Sequence, residues 1–312
     1  MGSGMLLKTP RIPFSTGRLP VEIILSTTVL FVRFSVKTKS GVVILNKGQY
    51  YRLQGNWDRI INRNQLYHHL LEEIKSLPAQ DDLSSLIEHE ILPPIGNQEV
   101  WAAGVTYYRS REARMEESKT SGGANFYDDV YEAERPELFF KAIAQRVVGH
   151  GDVVNIRRDS TWNVPEPELT LFINSQGRIE GYTCGNDMSS RSIEGENPLY
   201  LPQAKSYDRS AALGPCLHLT RRPISPDTTI SMKIIRNGEV LYTDSVEISK
   251  MKRRHTELAD FLYRECDFPF GCFLMTGTCL VPPNDFTLRI DDTIHIEIHR
   301  IGVLINKVGV KQ

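Results

Sequence analysis

Two periodicities divide the chain. Val29–Val36, Gly41–Leu45 and Tyr50–Leu53 alternate in short runs joined by polar turns, the pattern of half-buried strands. Gln65–Leu77 and Asp82–Ile91 then place apolar residues at helical spacing. Leu92-Pro93-Pro94 breaks that pattern and marks a domain boundary. Beyond it, Glu99–Val105 reads as a strand ending in Thr106-Tyr107-Tyr108, and Arg109–Lys119 as a charged, helix-like stretch. Ser121–Asn125 is a Gly/Ser loop, suited to a lid or to an ordinary surface loop. Pro136–Lys141 is an apolar run with charge at both ends. Leu169–Ile173 and Ile179–Thr183 flank the turn signal Asn174-Ser175-Gln176-Gly177, and Thr229–Ile235 and Val240–Ile248 flank Asn237-Gly238. Thr256–Cys266 reads as a helix, and Thr293–Ile298 and Gly302–Val308 as closing strands.

These signals divide the 312 residues into an extension over 1–28, a small domain over 29–93 and a larger one over 94–312. Met1-Gly2-Ser3-Gly4-Met5 reads as a cloning scar. The apolar run Val21–Phe34 is too short to cross a bilayer and carries Glu22 and Arg33. A net charge of −1 gives no electrostatic case for nucleic acid or an anionic membrane. The 5 cysteines are odd in number and form no CxxC pair, which fits a reducing compartment better than a disulfide framework.

Candidate chemistry concentrates between Pro165 and Pro215. Glu166 and Glu168 are two apart at the start of an apolar strand, so their side chains share a face. The return strand delivers Asp187 just past its end. Three converging carboxylates repel unless a cation sits among them, and an all-oxygen set favours Mg²⁺, with Mn²⁺ or Ca²⁺ as alternatives. No histidine or cysteine stands at a matching spacing for zinc. The competing reading is a solvated acidic strand edge. Glu137 borders the apolar run at 138–140, where burial would raise its pKa into a useful range. His68, His69 and His89 read as surface or packing residues of helices, His295 and His299 as structural, and His150 carries no assigned role.

Pro165-Glu166-Pro167-Glu168, Asn186-Asp187 with Ser189 and Arg191, then Lys205 and Gly214-Pro215 occur in the order of the fumarylacetoacetate hydrolase family core, and the chain resembles that family from about Trp101 to Gln312. The resemblance implies an α+β protein, with a C-terminal mixed β-sandwich roll around Mg²⁺ or Mn²⁺ and a small N-terminal α/β domain. It implies Glu166, Glu168 and Asp187 as metal ligands. Arg191 would orient the polar network and, with Thr278 and Tyr107, contact substrate. Within the family, Arg135–Lys141, Val148–Gly151 and Glu194–Lys205 look like the branch that dehydrates 2-keto-3-deoxy-D-arabinonate. In that branch the residues matching Glu137 and Lys205 are catalytic. The implied reaction turns a 2-keto-3-deoxy-pentonate into 2,5-dioxopentanoate through a metal-stabilised enolate and loss of the C4 hydroxyl. Lys205 or Glu137 takes the C3 proton and the other serves as the acid, a part that suits Glu137.

One departure separates the branches. The hydrolases carry a His–Glu pair shortly after a GxNY-like motif, where it activates water. Here Ser110 and Ala113 stand in those places, with Glu112 and Glu116 nearby but out of register. A serine without a base partner activates water poorly. A hydrolase, decarboxylase or tautomerase of an acylpyruvate-like 2,4-diketo acid is the second reading, and a non-catalytic relative the third. The resemblance also implies a homodimer or homotetramer; the thiols and sugar-acid catabolism imply the cytoplasm.

Overall fold

The computed structural model describes residues 33–109 and 129–312. The expected extension at 1–28, nearly all of Arg109–Lys119, and the loop at 121–125 lie outside them.

The first strands, β1 (Arg33–Thr38), β2 (Gly41–Asn46) and β3 (Gln49–Leu53), form an antiparallel meander. Alternation in β2 sends Val43 to one core and Val42 and Ile44 to another, so both faces are covered. A short helix that the sequence pattern did not announce, α1 (Trp57–Ile61), follows, started by the Asn56 side chain accepting from Arg59 N at 3.3 Å. The helical run predicted over 65–77 becomes α2 (Leu66–Ile74), and its last three residues continue with tighter i to i−3 bonds. Its N-terminus is capped from far away: the Glu180 carboxylate accepts from Gln65 N at 2.9 Å and Leu66 N at 2.8 Å. Next comes α3 (Leu83–His89), shorter than the predicted 82–91; His68, His69 and His89 are exposed on these helices.

After Pro93-Pro94 the chain enters β4 (Glu99–Gly104) and, beyond the undescribed segment, β5 (Glu137–Ile143). Short strands β6 (Val147–Val148), β7 (Val153–Ile156) and β8 (Asn163–Val164) lead into the central hairpin of β9 (Pro167–Ile173) and β10 (Ile179–Asp187). The turn between them is built as its sequence predicts, the Asn174 side chain accepting from Gln176 N and Arg178 N. β11 (Ser189–Ser190), α4 (Arg191–Glu196) and α5 (Leu201–Lys205) cross over to β12 (Ala211–Leu219). The predicted hairpin is β13 (Thr229–Arg236) and β14 (Glu239–Glu247), followed by α6 (His255–Tyr263), β15 (Cys272–Met275), β16 (Thr293–Ile298) and β17 (Gly302–Val310).

Among the described residues, ten strands make one sheet, running β3-β2-β1-β12-β10-β9-β15-β4-β5, with β6 paired to β12. The sheet runs unbroken across the boundary expected at Pro93-Pro94, because β1 pairs with β12. A second sheet of five strands, β14-β13-β16-β17-β7, packs against one face. Period-two alternation builds that layer: Ile230, Met232 and Ile234 of β13 and Ile294, Ile296 and Ile298 of β16 meet Leu169, Leu171 and Ile173 of β9. On the other face, Phe172, Phe273 and Met275 pack under Trp57, Ile60, Ile61, Leu66 and Leu70 of α1 and α2. Each such fully buried side chain stabilises the fold by about 1.5–3 kcal/mol. Both faces of β9 and β12 are covered, so every residue in them is buried. His150 is buried as well, its Nδ1 lying 2.8 Å from Val303 O, which ties the turn before β7 to β17.

Candidate metal centre

The alternation that sends Leu169 and Leu171 into the sandwich core sends Glu168 to the opposite face of β9, and Glu166 stands just before the strand. The register of β10 on β9 pairs Gly185 with Glu168 and Asn186 with Pro167, and Asp187 N donates to Glu166 O at 2.9 Å. Asp187 therefore closes the same corner from within β10, which runs four residues beyond the predicted Thr183. One oxygen from each of the three carboxylates lies within 4.8 Å of the others, and all three residues are buried. They are not a solvated strand edge.

Around them the chain sets cations. Arg191, the first residue of α4, donates from Nη2 to Glu166 Oε1 at 2.8 Å. Lys205, the last of α5, reaches Glu166 Oε2 at 2.5 Å and Asp187 Oδ2 at 3.1 Å. Lys141, on β5, lies 2.6 Å from Asp187 Oδ1 and donates to Met188 O at 2.9 Å and to Lys205 O. Lys141 and Lys205 have no solvent exposure. The remaining acid, Glu168, accepts from Gly277 N at 2.6 Å. Gly277 has φ 97°, and a Cβ there would stand 2.0 Å from Thr106 Oγ1 and 3.0 Å from Ala103 O, so glycine alone brings this N–H so close.

Electrostatics separates the acids. Burial pushes the Glu168 carboxyl well above the carboxylate range, and repulsion from Asp187 and Glu166 adds to it. Burial also acts upward on Asp187, but Lys141 and Lys205 outweigh it and leave this carboxyl below its ordinary value. The Lys141 ammonium is lowered by its own burial. Three buried carboxylates, one of them answered by a single backbone N–H among the bonds to it, fit a hard divalent cation with oxygen ligands.

A small polar cavity opens on this cluster, lined by Ala103, Gly104, Val105, Phe139, Glu166, Glu168, Asp187, Arg191 and Thr278. Of the residues singled out in the sequence, Glu166, Glu168, Asp187, Arg191 and Thr278 thus meet at one place. Lys205 bonds two of the acids, and Glu137 pairs with Gly104 of the cavity wall across the β4–β5 ladder; neither is among the lining residues. Tyr107 is buried beside the site but is not among the lining residues; burial pushes its hydroxyl up, helped by Cys279 and Glu168. Ser110, Glu112, Ala113 and Glu116 lie outside the described residues. Sequence reasoning missed Lys141 and Gly104. Alternation from Glu137 did not announce Lys141, because the β4–β5 register slips between Phe140 and Ala142 and leaves Lys141 at a bulge.

Comparison with known proteins agrees with this geometry. The profile of the fumarylacetoacetate (FAA) hydrolase C-terminal domain matches residues 107–309. The chain is 47% identical over 225 residues to a probable 2-keto-3-deoxyxylonate dehydratase of Haloferax volcanii, covering 72% of this chain and 76% of that protein. It is 43% identical over 222 residues to the 2-dehydro-3-deoxy-D-arabinonate dehydratase of Saccharolobus solfataricus, covering 70% and 74%. A solved 2-keto-3-deoxy-D-arabinonate dehydratase complexed with magnesium and 2,5-dioxopentanoate superposes with a TM-score of 0.75 at 34% identity, over 90% of this chain and 100% of that one.

Proposed function

Because the chain belongs to the fumarylacetoacetate hydrolase family, we propose that it is a Mg²⁺-dependent hydro-lyase converting a 2-keto-3-deoxy-pentonate, such as the D-arabinonate form, into 2,5-dioxopentanoate and water. The observation that carries this reading is the Glu166, Glu168 and Asp187 cluster on a cavity whose wall residue Gly104 pairs with Glu137. Relatives at 47% and 43% identity bear dehydratase names, and a similar structure holds magnesium and the dioxo acid. Ser110 and Ala113, in place of a water-activating pair, favour a reaction without hydrolytic water.

Held by Glu166, Glu168 and Asp187, the cation supplies the Lewis acidity that makes the C3 proton of a 2-keto acid removable. Glu137 takes that proton and returns one to the departing C4 hydroxyl. Loss of a C5 proton and protonation at C3 then give the C4–C5 enol, which gains a proton at C4 and loses its hydroxyl proton to become the dioxo acid, with one water released overall. Lys205 acts as a hydrogen-bond donor rather than a base, because its ammonium is already shared between two carboxylates. Arg191 holds Glu166 in register, Thr278 offers its hydroxyl to the substrate, and Tyr107 closes the side of the site near Glu168. On the same reading the protein works in the cytoplasm as a homodimer or homotetramer, with 29–93 as a small α/β lobe beside a catalytic unit of 94–312.

Incubation with 2-keto-3-deoxy-D-arabinonate, its C4 epimer, a 2-keto-3-deoxy-hexonate and an acylpyruvate, followed by product mass, tests the assignment. Loss of one water from a keto-deoxy acid supports it and identifies the preferred sugar. Cleavage of the acylpyruvate with uptake of water, the deoxy acids being untouched, overturns it.

A further inference from the structure

Gly104 is the last residue of β4 and pairs with Glu137 across the antiparallel ladder to β5. Glu137 and Phe139 share one face of β5; Phe139 lines the cavity, and Lys141, at a bulge in the ladder, reaches Asp187. A Cβ on Gly104 would stand 1.9 Å from Oε2 of Glu137, 2.5 Å from its Cδ and 3.3 Å from its Cγ. The carboxyl of Glu137 therefore occupies the space that a side chain at 104 would fill, and Gly104 is itself part of the cavity wall. Backbone freedom does not explain this glycine, since Gly104 is not among the positive-φ residues. Its neighbour Val105 does have a positive φ, 52°, a costly conformation for a β-branched residue, and Thr106 Oγ1 donates to Thr276 O at 2.7 Å. The end of β4 is thus pinned against the 276–278 turn and cannot easily retreat from Glu137.

We propose that Gly104 is a positioning residue: by lacking a side chain it admits the Glu137 carboxyl to the cavity wall and fixes where that carboxyl meets substrate. This rests on the reading of Glu137 as the proton-transfer group. A methyl at 104 needs roughly 3.4 Å of clearance from Oε2 in place of 1.9 Å, so the carboxyl must move by about 1.5 Å. The atoms met are the far end of a flexible side chain, so the fold absorbs the change. Misplacement of a reacting group by about 1 Å costs on the order of 10²-fold in rate.

The test compares Gly104→Ala, Glu137→Gln and the double variant in the full-length, Mg²⁺-loaded protein, with Mn²⁺ affinity read by electron paramagnetic resonance. The expected result is a kcat loss of about 10²-fold in Gly104→Ala with little change in KM, parental Mn²⁺ affinity, and almost no further loss when Gly104→Ala is added to Glu137→Gln. A Gly104→Ala protein within about threefold of parental kcat, beside an inactive Glu137→Gln, overturns the proposal and leaves the role of Glu137 standing. An active Glu137→Gln overturns that role on its own. If Gly104→Ala does not fold, pairing it with Glu137→Ala must restore folding, because the clash is gone; a double variant that stays unfolded overturns the proposal.

Discussion

Replacing Lys141 with methionine removes a buried ammonium while keeping most of its volume. Three acceptors lose their donor together: Asp187 Oδ1 at 2.6 Å, Met188 O at 2.9 Å and Lys205 O. Breaking a buried ion pair by deleting one partner costs about 3–5 kcal/mol. Asp187 retains Lys205 at 3.1 Å, which favours the lower end, and the two orphaned carbonyls add to it. The expected cost is therefore about 3–5 kcal/mol, a large share of a typical total stability of about 5–15 kcal/mol. At roughly 2 °C per kcal/mol for a chain of this size, Tm falls by about 6–10 °C. Thermal melts in chelator and in excess Mg²⁺ are the assay. A cation beside Asp187 restores part of the missing positive charge, so Mg²⁺ raises the melting point of the variant more than that of the parent. A Lys141→Met protein that melts within about 1 °C of the parent in chelator refutes the reasoning, since Asp187 would then not need its lysine.

Asp187→Asn removes one charged ligand from the cluster and leaves its shape, so Mn²⁺ affinity should fall at least 100-fold, on the order of 3 kcal/mol, by calorimetric titration; unchanged affinity would place the ion elsewhere. Burial holds the His218 and His255 imidazoles at about 4, with Arg300 adding to the effect at His218. These folded values lie below the ordinary 6.5, so the stability they contribute is complete above about pH 6.5 and is lost as pH falls toward 4. At pH 5 each has lost about 2 kcal/mol, and urea unfolding of His218→Phe should be less pH-dependent between 7 and 5 than that of the parent. An equal slope in both proteins would contradict the burial argument.

Much of this molecule is legible in its sequence where local rules operate. The turns at Asn174–Gly177 and Asn237-Gly238, the alternation of Thr293–Ile298 and the Glu166–Glu168 spacing depend on near neighbours, and the hairpins form where they predict. The chain's resemblance to the family was carried by motifs in order, and the profile match covers 107–309. What stayed hidden depends on register between distant segments. That Lys141 would meet Asp187 follows from the order β10-β9-β15-β4-β5 and from the path of α5, neither of which local periodicity encodes. Gly104 looks like an ordinary strand-end glycine until its ladder partner is known to be Glu137. The β1–β3 meander joins the large sheet through β12, some 180 residues later in the chain, and a Pro-Pro break in sequence gave no sign of it. Likewise α1 has only five residues, too few to show helical periodicity, and forms because Trp57, Ile60 and Ile61 are buried against the sheet.

The most direct test is turnover of 2-keto-3-deoxy-D-arabinonate by metal-stripped protein while Mg²⁺ is restored stepwise, the product followed by nuclear magnetic resonance. The three-carboxylate site predicts no turnover in chelator, saturable recovery with Mg²⁺, and 2,5-dioxopentanoate as the product. Full-rate dehydration in chelator would contradict it, because Glu166, Glu168 and Asp187 would then hold nothing the reaction needs.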